Sequence, residues 1–134
     1  MLPRKTEQIA VNAEPHIVAV RQTVRKLALE IKLSLVDQTK IVTAASELAR
    51  NLLVYGGGGE VIMEVLGDGS RSGLRVHFID NGPGIPDIPL ALRDGFTSGS
   101  GMGLGLGGAK RLVNEFEIES TVGAGTRVTI TRWK

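Results

Sequence analysis

The chain has 134 residues, 42% of them hydrophobic but only 4% aromatic, so residues 1–134 are expected to form one domain with an aliphatic core. Its net charge of +2 is too small to indicate binding to nucleic acid or to a membrane. The absence of cysteine excludes disulfides and thiolate metal sites. No stretch has the composition of a signal peptide or the length of an apolar membrane span, so a soluble cytoplasmic protein is expected.

The first predicted elements are an edge strand and an amphipathic helix. The alternation over residues 6–11 predicts the strand. Pro15 suits a first helical turn, and the apolar residues that follow share one face: Ile17, Val20, Val24, Leu27 and Ile31. His16 is expected to cap this helix or lie on its surface, because no second histidine or cysteine is close to it in the sequence.

A second helix is predicted from Ser34, which forms a capping box with Asp37, to a stop at Gly56. Its apolar stripe contains Ile41, Ala45, Leu48 and Leu52. Thr43, Glu47 and Asn51 follow one another at intervals of four and therefore share a face beside that stripe. Taken alone, this polar row is typical of a solvated helix edge.

The second half of the chain is predicted to be mainly strands. Residues 60–66 and 74–79 form a hairpin, 88–93 a short helix, 109–116 a third helix with Leu112, Val113 and Phe116 facing inward, and 117–122 and 127–133 a final hairpin. Because strands and helices do not alternate regularly, the order predicts an α+β two-layer sandwich. We expect one mixed β-sheet covered on one face by about three α-helices.

The segment 80–108 contains nine of the chain's 18 glycines. Without Cβ atoms, successive backbone N–H groups can converge on an anion such as a phosphate chain. A glycine run is more often a linker or a mobile loop. Here, however, an apolar run ends at Asp80 and a helical segment begins directly after Gly108, which is the layout of an anion site at a helix start.

Three common nucleotide motifs do not fit this segment. Gly103, Gly105 and Gly108 match G-x-G-x-x-G, but a polar loop precedes them where a dinucleotide-binding fingerprint needs a strand. A Walker A loop requires Lys directly after its last glycine, whereas Ala109 separates Gly108 from Lys110. The eukaryotic-type kinase loop would need a downstream H-R-D motif, which the remaining residues lack.

Four short motifs in order resemble the boxes of the GHKL ATPase/kinase superfamily, which has the Bergerat nucleotide-binding fold. They are Glu47-x-x-x-Asn51, Asp80-x-Gly82-x-Gly84, Gly101-x-Gly103-x-Gly105 and Gly125-Thr126. Each motif is weak alone, but together they span nearly the whole chain. Within the superfamily, SELARN at 46–51, GPGIPD at 82–87, DGF at 94–96 and GAKRLVNEFEIES at 108–120 resemble RsbT-type switch kinases of bacterial stressosome modules.

This resemblance implies a serine/threonine kinase that uses ATP and Mg²⁺. Its substrates would be STAS-domain partner proteins, and the released kinase would activate a PP2C-type phosphatase or another output enzyme. The chain carries 134 residues and little room for a second small-molecule pocket, so the phosphoryl acceptor is expected to arrive on another protein. We predict docking on an apolar patch at 85–96 that contains Ile88, Leu92 and Phe96; the alternative is that these residues cover the core.

The resemblance also assigns roles to individual residues. Glu47 would be the general base, and Asn51 would ligate Mg²⁺ through its amide oxygen. Asp80 would accept a hydrogen bond from the adenine amine, with a further contact from Thr126. The other nucleotide-binding positions are Gly82, Gly84, Gly101, Met102, Gly103, Leu104, Gly105 and Leu106, the last six of them holding phosphates. Candidate cations for the γ-phosphate are Arg50, Lys110 and Arg111.

Two positions depart from the related patterns. Anti-sigma-factor kinases usually carry an arginine where this chain has Gly99, and RsbT-type kinases often have a proline where Gly107 stands. An anti-sigma factor of the same fold remains an alternative function. The nucleotide module of a histidine kinase is a second alternative, disfavoured because no helical hairpin with a phospho-accepting histidine precedes the first box.

Overall fold

The computed structural model describes residues 2–93 and 105–134, which form five strands and four helices. In chain order these are β1 (Pro3–Val11), α1 (Glu14–Glu30), α2 (Leu35–Val54), β2 (Gly59–Gly67), β3 (Ser72–Asp80), α3 (Ile88–Ala91), α4 (Gly105–Arg111), β4 (Glu115–Thr121) and β5 (Gly125–Trp133). No helix among the described residues is both long enough and apolar enough to cross a membrane.

The five strands form one sheet in the order β1-β2-β3-β5-β4. All four pairings are antiparallel, so the α+β prediction is confirmed but the predicted mixed sheet is wrong. Two helices separate β1 from β2, so the chain reverses its direction three times, and this odd number of reversals returns β2 antiparallel to β1. On the other side, β5 lies between β3 and β4, which run in the same direction but are not neighbours.

The helices cover one face of the sheet, and the core lies between the two layers. Strand positions that alternate inward are fully buried, as at Val61, Met63, Val76, Phe78 and Ile130. The predicted stripes of both long helices are confirmed, since all nine of their named residues are buried against these strands. The opposite sheet face carries polar and charged side chains, which is the usual pattern for a sheet that faces solvent on one side.

Side-chain contacts are found at both predicted helix starts, and the one at Ser34 is the predicted cap. His16 Nδ1 accepts a hydrogen bond from the backbone N–H of Asn12 at 3.0 Å, which ties the residue before the N-cap Ala13 to the first turn of α1, but no side chain of the described residues caps the helix itself. Ser34 Oγ accepts from the N–H of Asp37 at 3.1 Å at the start of α2. The carboxylate of Asp37 bonds instead to Arg132 Nη2 of β5 at 2.6 Å, which ties the helix layer to the sheet.

The third predicted helix differs from the observed one in both of its bounds. α4 begins at Gly105 and ends at Arg111, and Phe116 lies in β4, where it pairs with Ile130. Leu112, Val113 and Phe116 still pack against the core as predicted. Their spacing suits one helix face, but Phe116 and Ile118 also alternate as a strand requires, and pairing with β5 decides in favour of the strand.

Candidate functional site

A cleft of about 530 Å³ opens between α2, the sheet, the 82–87 loop and α4. This volume lies within the range of roughly 300–1,000 Å³ that is usual for small-molecule sites. The walls are largely apolar, and a few polar groups converge in them: Asn51, Asp80, Asp87 and Thr126. The cleft can therefore accept a flat apolar ring and orient it with a small number of hydrogen bonds.

Asp80 and Thr126 form one wall of this cleft. Asp80 is the last residue of β3, and Thr126 lies opposite it on β5 in register. Asp80 Oδ1 accepts a hydrogen bond from the backbone N–H of Gly82 at 2.8 Å, which fixes the rotamer of the carboxylate. Gly82 thus supports Asp80 and is not itself among the described residues that line the cleft, whereas Gly84 is.

Gly56 packs directly against the carboxylate of Asp80. A Cβ atom at Gly56 would stand 2.6 Å from both Cγ and Oδ2 of Asp80, and 2.7 Å from the carbonyl oxygen of Leu52. Real Cβ atoms do not approach other heavy atoms this closely, so a side chain at Gly56 would displace the carboxylate. The sequence predicted Gly56 only as a helix stop, and no local signal marks its second role.

The polar row of α2 reaches the cleft at one of its three positions. Asn51 lines the cleft, while Glu47, one helical turn earlier, is half-buried and lies outside the described lining. Thr43 is a further turn away and is also half-buried. Glu47 and Asn51 lie on adjacent turns of one helix face. A group bound at Asn51 would therefore be about one helical turn from the Glu47 side chain.

The three candidate cations do not line the cleft within the described part of the chain. Arg50 Nη1 is bonded to Glu14 Oε1 of α1 at 2.9 Å, which directs its guanidinium toward the helical layer. Lys110 and Arg111 are exposed in the last turn of α4. Arg50 is therefore the weakest of the three candidates for a contact with phosphate.

The predicted phosphate loop falls mostly beyond the described residues. Gly101, Met102, Gly103 and Leu104 lie in the undescribed segment 94–104, as does Gly99. Gly105 and Leu106, the first two residues of α4, line the cleft as the predicted site requires. Gly107 is buried, and a Cβ there would overlap the carbonyl oxygen of Leu92, so the proline common at this position in RsbT-type kinases has no room here.

The loop 82–87 is held over the cleft by the turn and strand that follow α4. The carbonyl oxygen of Pro83 accepts from the N–H of Gly123 at 2.8 Å, and the N–H of Ile85 donates to Ser120 Oγ at 2.7 Å. Sequence reasoning gave Ser120 no role of its own. Leu48 and Leu52 were predicted only as part of the apolar stripe of α2, yet they also line the cleft, together with Phe78 and Val128.

The predicted docking patch at 85–96 is only partly consistent with the structure. Ile85 and Leu90 line the cleft, and Ile88 and Leu92 are half-buried, so they do not form the exposed apolar surface that was predicted. Phe96 lies outside the described residues. The larger exposed apolar side chains lie elsewhere, as at Leu29, Leu35 and Val36 near the connection of α1 to α2.

A family profile of histidine kinase-, DNA gyrase B- and HSP90-like ATPases matches residues 36–134, a range that contains every residue that lines the cleft. The match extends over well more than half of the chain. The chain therefore belongs to this ATPase family, and the cleft lies within the matched nucleotide-binding domain.

Comparison with individual proteins shows members of this ATPase family to which the chain is similar in sequence. The chain is 43% identical over 125 residues to the serine/threonine-protein kinase RsbT of Bacillus subtilis, covering 93% of this chain and 94% of the relative. It is 29% identical over 117 residues to an anti-sigma F factor of Thermoanaerobacter, covering 84% and 82% of the two chains. The predicted resemblance to RsbT-type kinases is thus confirmed, and the protein is an ATP-dependent protein serine/threonine kinase of that type.

A solved structure supports the fold. The structure of the RsbU and RsbW domains of Rv1364c from Mycobacterium tuberculosis superposes with a TM-score of 0.68 at 24% identity. The match covers 98% of this chain and 34% of the longer chain. At this identity the similarity shows a shared fold, with helices on one face of an antiparallel sheet.

Proposed function

We propose that this kinase transfers the γ-phosphoryl group of Mg-ATP to a serine or threonine of a STAS-domain protein in a bacterial stress-signalling partner-switching module. Once the phosphorylated partner releases it, the kinase activates an output enzyme such as a PP2C-type phosphatase. The observation that carries this proposal is the convergence of Asn51, Asp80 and Thr126 on one cleft, together with the RsbT relative.

Adenine would bind against the wall that Asp80 and Thr126 form. The Asp80 carboxylate is already fixed by Gly82 N–H through Oδ1, so Oδ2 is available as an acceptor for the adenine amine. Apolar side chains from α2 and the sheet would contact the ring faces, as at Leu52, Phe78 and Val128. This pairing of a charged acceptor with apolar walls favours adenine over a base that has an oxygen at the same position.

Mg²⁺ would be held by Asn51 and the nucleotide phosphates. Mg²⁺ takes hard oxygen ligands and is usually bound through one or two protein side chains plus substrate phosphates. The amide of Asn51 is the polar group of α2 that lines the cleft, so the side chain present fits this need. When bound, Mg²⁺ neutralises charge on the phosphates; the backbone of Gly105 and Leu106 at the other side of the cleft would support the same phosphates.

Glu47 would act as the general base. The acceptor hydroxyl attacks the γ-phosphorus, the bond from γ-phosphorus to the β–γ bridging oxygen breaks, and ADP leaves. The proton of the hydroxyl moves to the Glu47 carboxylate, one helical turn from Asn51. Glu47 is half-buried and lies outside the described lining of the cleft, so the acceptor hydroxyl would reach it beside the nucleotide and not in place of it.

Release follows from the charge of the product. A phosphoserine or phosphothreonine adds a charge of about −1.5 to −2. In the former interface this charge would lie beside the Glu47 carboxylate and would repel it. Phosphorylation should therefore lower the affinity of the STAS partner for the kinase and free the kinase for its output enzyme.

The deciding experiment incubates the kinase with radiolabelled ATP, Mg²⁺ and a co-encoded STAS-domain protein. We expect acid-stable phosphate on serine or threonine of the STAS protein and weaker binding of the phosphorylated form in a pull-down. Asp80→Asn serves as a control that should remain folded and transfer little phosphate. An acid-labile phosphohistidine product would contradict the proposal and support the histidine-kinase alternative.

An anti-sigma factor with kinase activity toward its antagonist is the second candidate. The 29% identity to anti-sigma F factors over 84% of the chain favours it, although the identity to RsbT is higher. The Gly99 position argues against it, since the related anti-sigma kinases usually carry arginine there. Tight binding to a sigma factor in the absence of any STAS complex would favour this function over the first.

A further inference from the structure

A set of hydroxyl contacts lies directly behind the wall formed by Asp80 and Thr126. Ser120 of β4 is paired in register with Thr126 of β5. Its Oγ accepts the N–H of Ile85 at 2.7 Å and lies 2.8 Å from Thr126 Oγ1 and 3.2 Å from the carbonyl oxygen of Gly125. Ser120 is half-buried and does not line the cleft, so it can affect a bound nucleotide only through its neighbours.

Either hydroxyl of the Ser120–Thr126 pair could be the donor, and the other contacts of Ser120 favour Thr126 in that role. A serine hydroxyl has one proton and two lone pairs. The Gly125 carbonyl can only accept, so its bond takes the Ser120 proton. The Ile85 N–H occupies one lone pair of Ser120, and in this arrangement the other lone pair accepts the proton of Thr126. Thr126 Oγ1 consequently has only acceptor lone pairs left for the cleft.

We infer that Ser120 is a positioning residue that sets the base preference of the nucleotide site by holding the Thr126 hydroxyl as an acceptor. This inference rests on the nucleotide site proposed above. Asp80 and Thr126 are paired across β3 and β5, so two acceptors adjoin at this wall. The amine of adenine has two hydrogens to match them, whereas guanine and hypoxanthine have an acceptor oxygen on the same ring carbon.

A serine with a merely structural role would give a different experimental pattern. The bond from Ile85 N–H ties the 82–87 loop to β4, and its loss would loosen the cleft for every nucleotide. ATP and ITP, the hypoxanthine nucleotide, share their ribose and phosphates. Loosening the loop would therefore weaken the binding of both nucleotides. A change of the Thr126 hydroxyl from acceptor to donor would instead alter the ratio of their affinities.

The first test measures ATP and ITP affinities by titration calorimetry on the whole chain. In Ser120→Ala, Thr126 loses the acceptor for its proton and can donate to the hypoxanthine oxygen, so the ATP preference should fall by roughly 5- to 10-fold. Ser120→Thr keeps the hydroxyl and should restore the preference. Glu119→Ala, an exposed change one position away on β4, is the matched control. An unchanged ATP-to-ITP ratio in a folded Ser120→Ala variant would overturn the inference.

The second test asks whether Ser120 acts through Thr126. Thr126→Val keeps the shape of the side chain without its hydroxyl, so it should lower the ATP preference by itself. Adding Ser120→Ala in that background should then change the ratio no further. An equal effect of Ser120→Ala in both backgrounds would refute action through Thr126. If Ser120→Ala does not fold, retention of the full preference by Thr126→Val is sufficient to reject the inference.

Failure of the nucleotide site itself has a distinct signature. A wild-type chain that bound neither ATP nor ITP would contradict the proposed site and, with it, the role of Ser120. A wild-type chain that bound ATP without preference over ITP would contradict the adenine-selecting roles of Asp80, Thr126 and Ser120, and would leave the kinase assignment intact.

Discussion

Gly56 and Asp80 are in direct contact although 24 positions separate them in the sequence, since a Cβ at Gly56 would stand 2.6 Å from the Asp80 carboxylate. The end of α2 and the end of β3 can approach this closely only because position 56 has no side chain. The contact joins the helix that carries Asn51 to the strand that carries Asp80. Two of the polar groups that line the cleft, Asn51 and Asp80, are therefore brought together beside a glycine that belongs to none of the four boxes.

The first prediction tests this contact. Gly56→Ala should displace the Asp80 carboxylate and weaken ATP binding by at least roughly tenfold, because a charge-assisted hydrogen bond contributes about 1.5–3 kcal/mol. Titration calorimetry measures the change. Gly67→Ala is the matched control, because a Cβ there meets only the flexible end of Arg4. Equal ATP affinities for Gly56→Ala and wild type would show that the carboxylate position does not matter.

The second prediction concerns Asp80 itself. Its Oδ1 takes the N–H of Gly82, so in Asp80→Asn the remaining oxygen should keep that bond and the new NH₂ group should face the cleft. Two donors would then meet at the adenine amine, and ATP affinity should fall by roughly 10- to 150-fold. The fold should be retained, as judged by circular dichroism. Glu117→Gln on the solvent face of β4 provides a charge-matched control, and unchanged ATP affinity in Asp80→Asn would reject the adenine-site assignment.

Local patterns were sufficient to predict the elements that position the site. Helix periodicity predicts the apolar stripe of α2, and the Ser34 hydroxyl predicts its N-terminal cap. The structure confirms both. The end of β3 at Asp80 follows from an apolar run that stops at a carboxylate. Each of these features depends on residues within a few positions of one another, which is why the sequence could indicate them.

Features that depend on distant contacts were not predictable. The antiparallel sheet results from the insertion of β5 between β3 and β4, and no local pattern encodes that order. Phe116 was assigned to a helix because its spacing from Leu112 suits either structure, and only its pairing with Ile130 makes it a strand residue. The roles of Gly56 and Ser120 arise from contacts with Asp80 and Ile85, each more than twenty positions away.

The third prediction separates chemistry from binding on α2. Glu47→Gln keeps the size of the side chain but removes the base, so phosphoryl transfer should fall by roughly 10²- to 10⁴-fold while Mg-ATP affinity is retained. Asn51→Ala should instead reduce the Mg²⁺-dependent part of nucleotide binding. Single-turnover transfer and calorimetry, run on both variants, distinguish the two effects. Wild-type transfer by Glu47→Gln would leave Glu47 as a structural polar residue.

The fourth prediction concerns the tie between the helix layer and the sheet. Arg132 Nη2 and Asp37 Oδ1 are 2.6 Å apart, and both side chains are largely shielded from solvent. Arg132→Met leaves the Asp37 carboxylate without this partner and should lower the free energy of unfolding by about 1–3 kcal/mol. Urea denaturation measures the change in the free energy of unfolding, and Arg25→Met on the exposed face of α1 is the control. Adding Asp37→Asn should recover part of the loss, and strictly additive effects would argue against a direct interaction.

The last prediction concerns the close packing of α4 on the segment that follows α3. Replacing a helical glycine by alanine usually stabilises a helix by about 1 kcal/mol. Gly107 should behave in the opposite way, because its Cβ would overlap the carbonyl oxygen of Leu92, a backbone atom that cannot move without shifting its chain. We expect Gly107→Ala to lower the free energy of unfolding by about 1–3 kcal/mol.

Gly107→Ala should also weaken ATP binding, because Gly105 and Leu106 on the same helix line the cleft and would move with it. Urea denaturation and calorimetry check the two effects, and Gly67→Ala, whose Cβ meets only the flexible end of Arg4, is the control that should alter neither. If Gly107→Ala were instead more stable than wild type and bound ATP normally, α4 would have room to move away from Leu92. The absence of a proline at position 107 would then have no steric explanation.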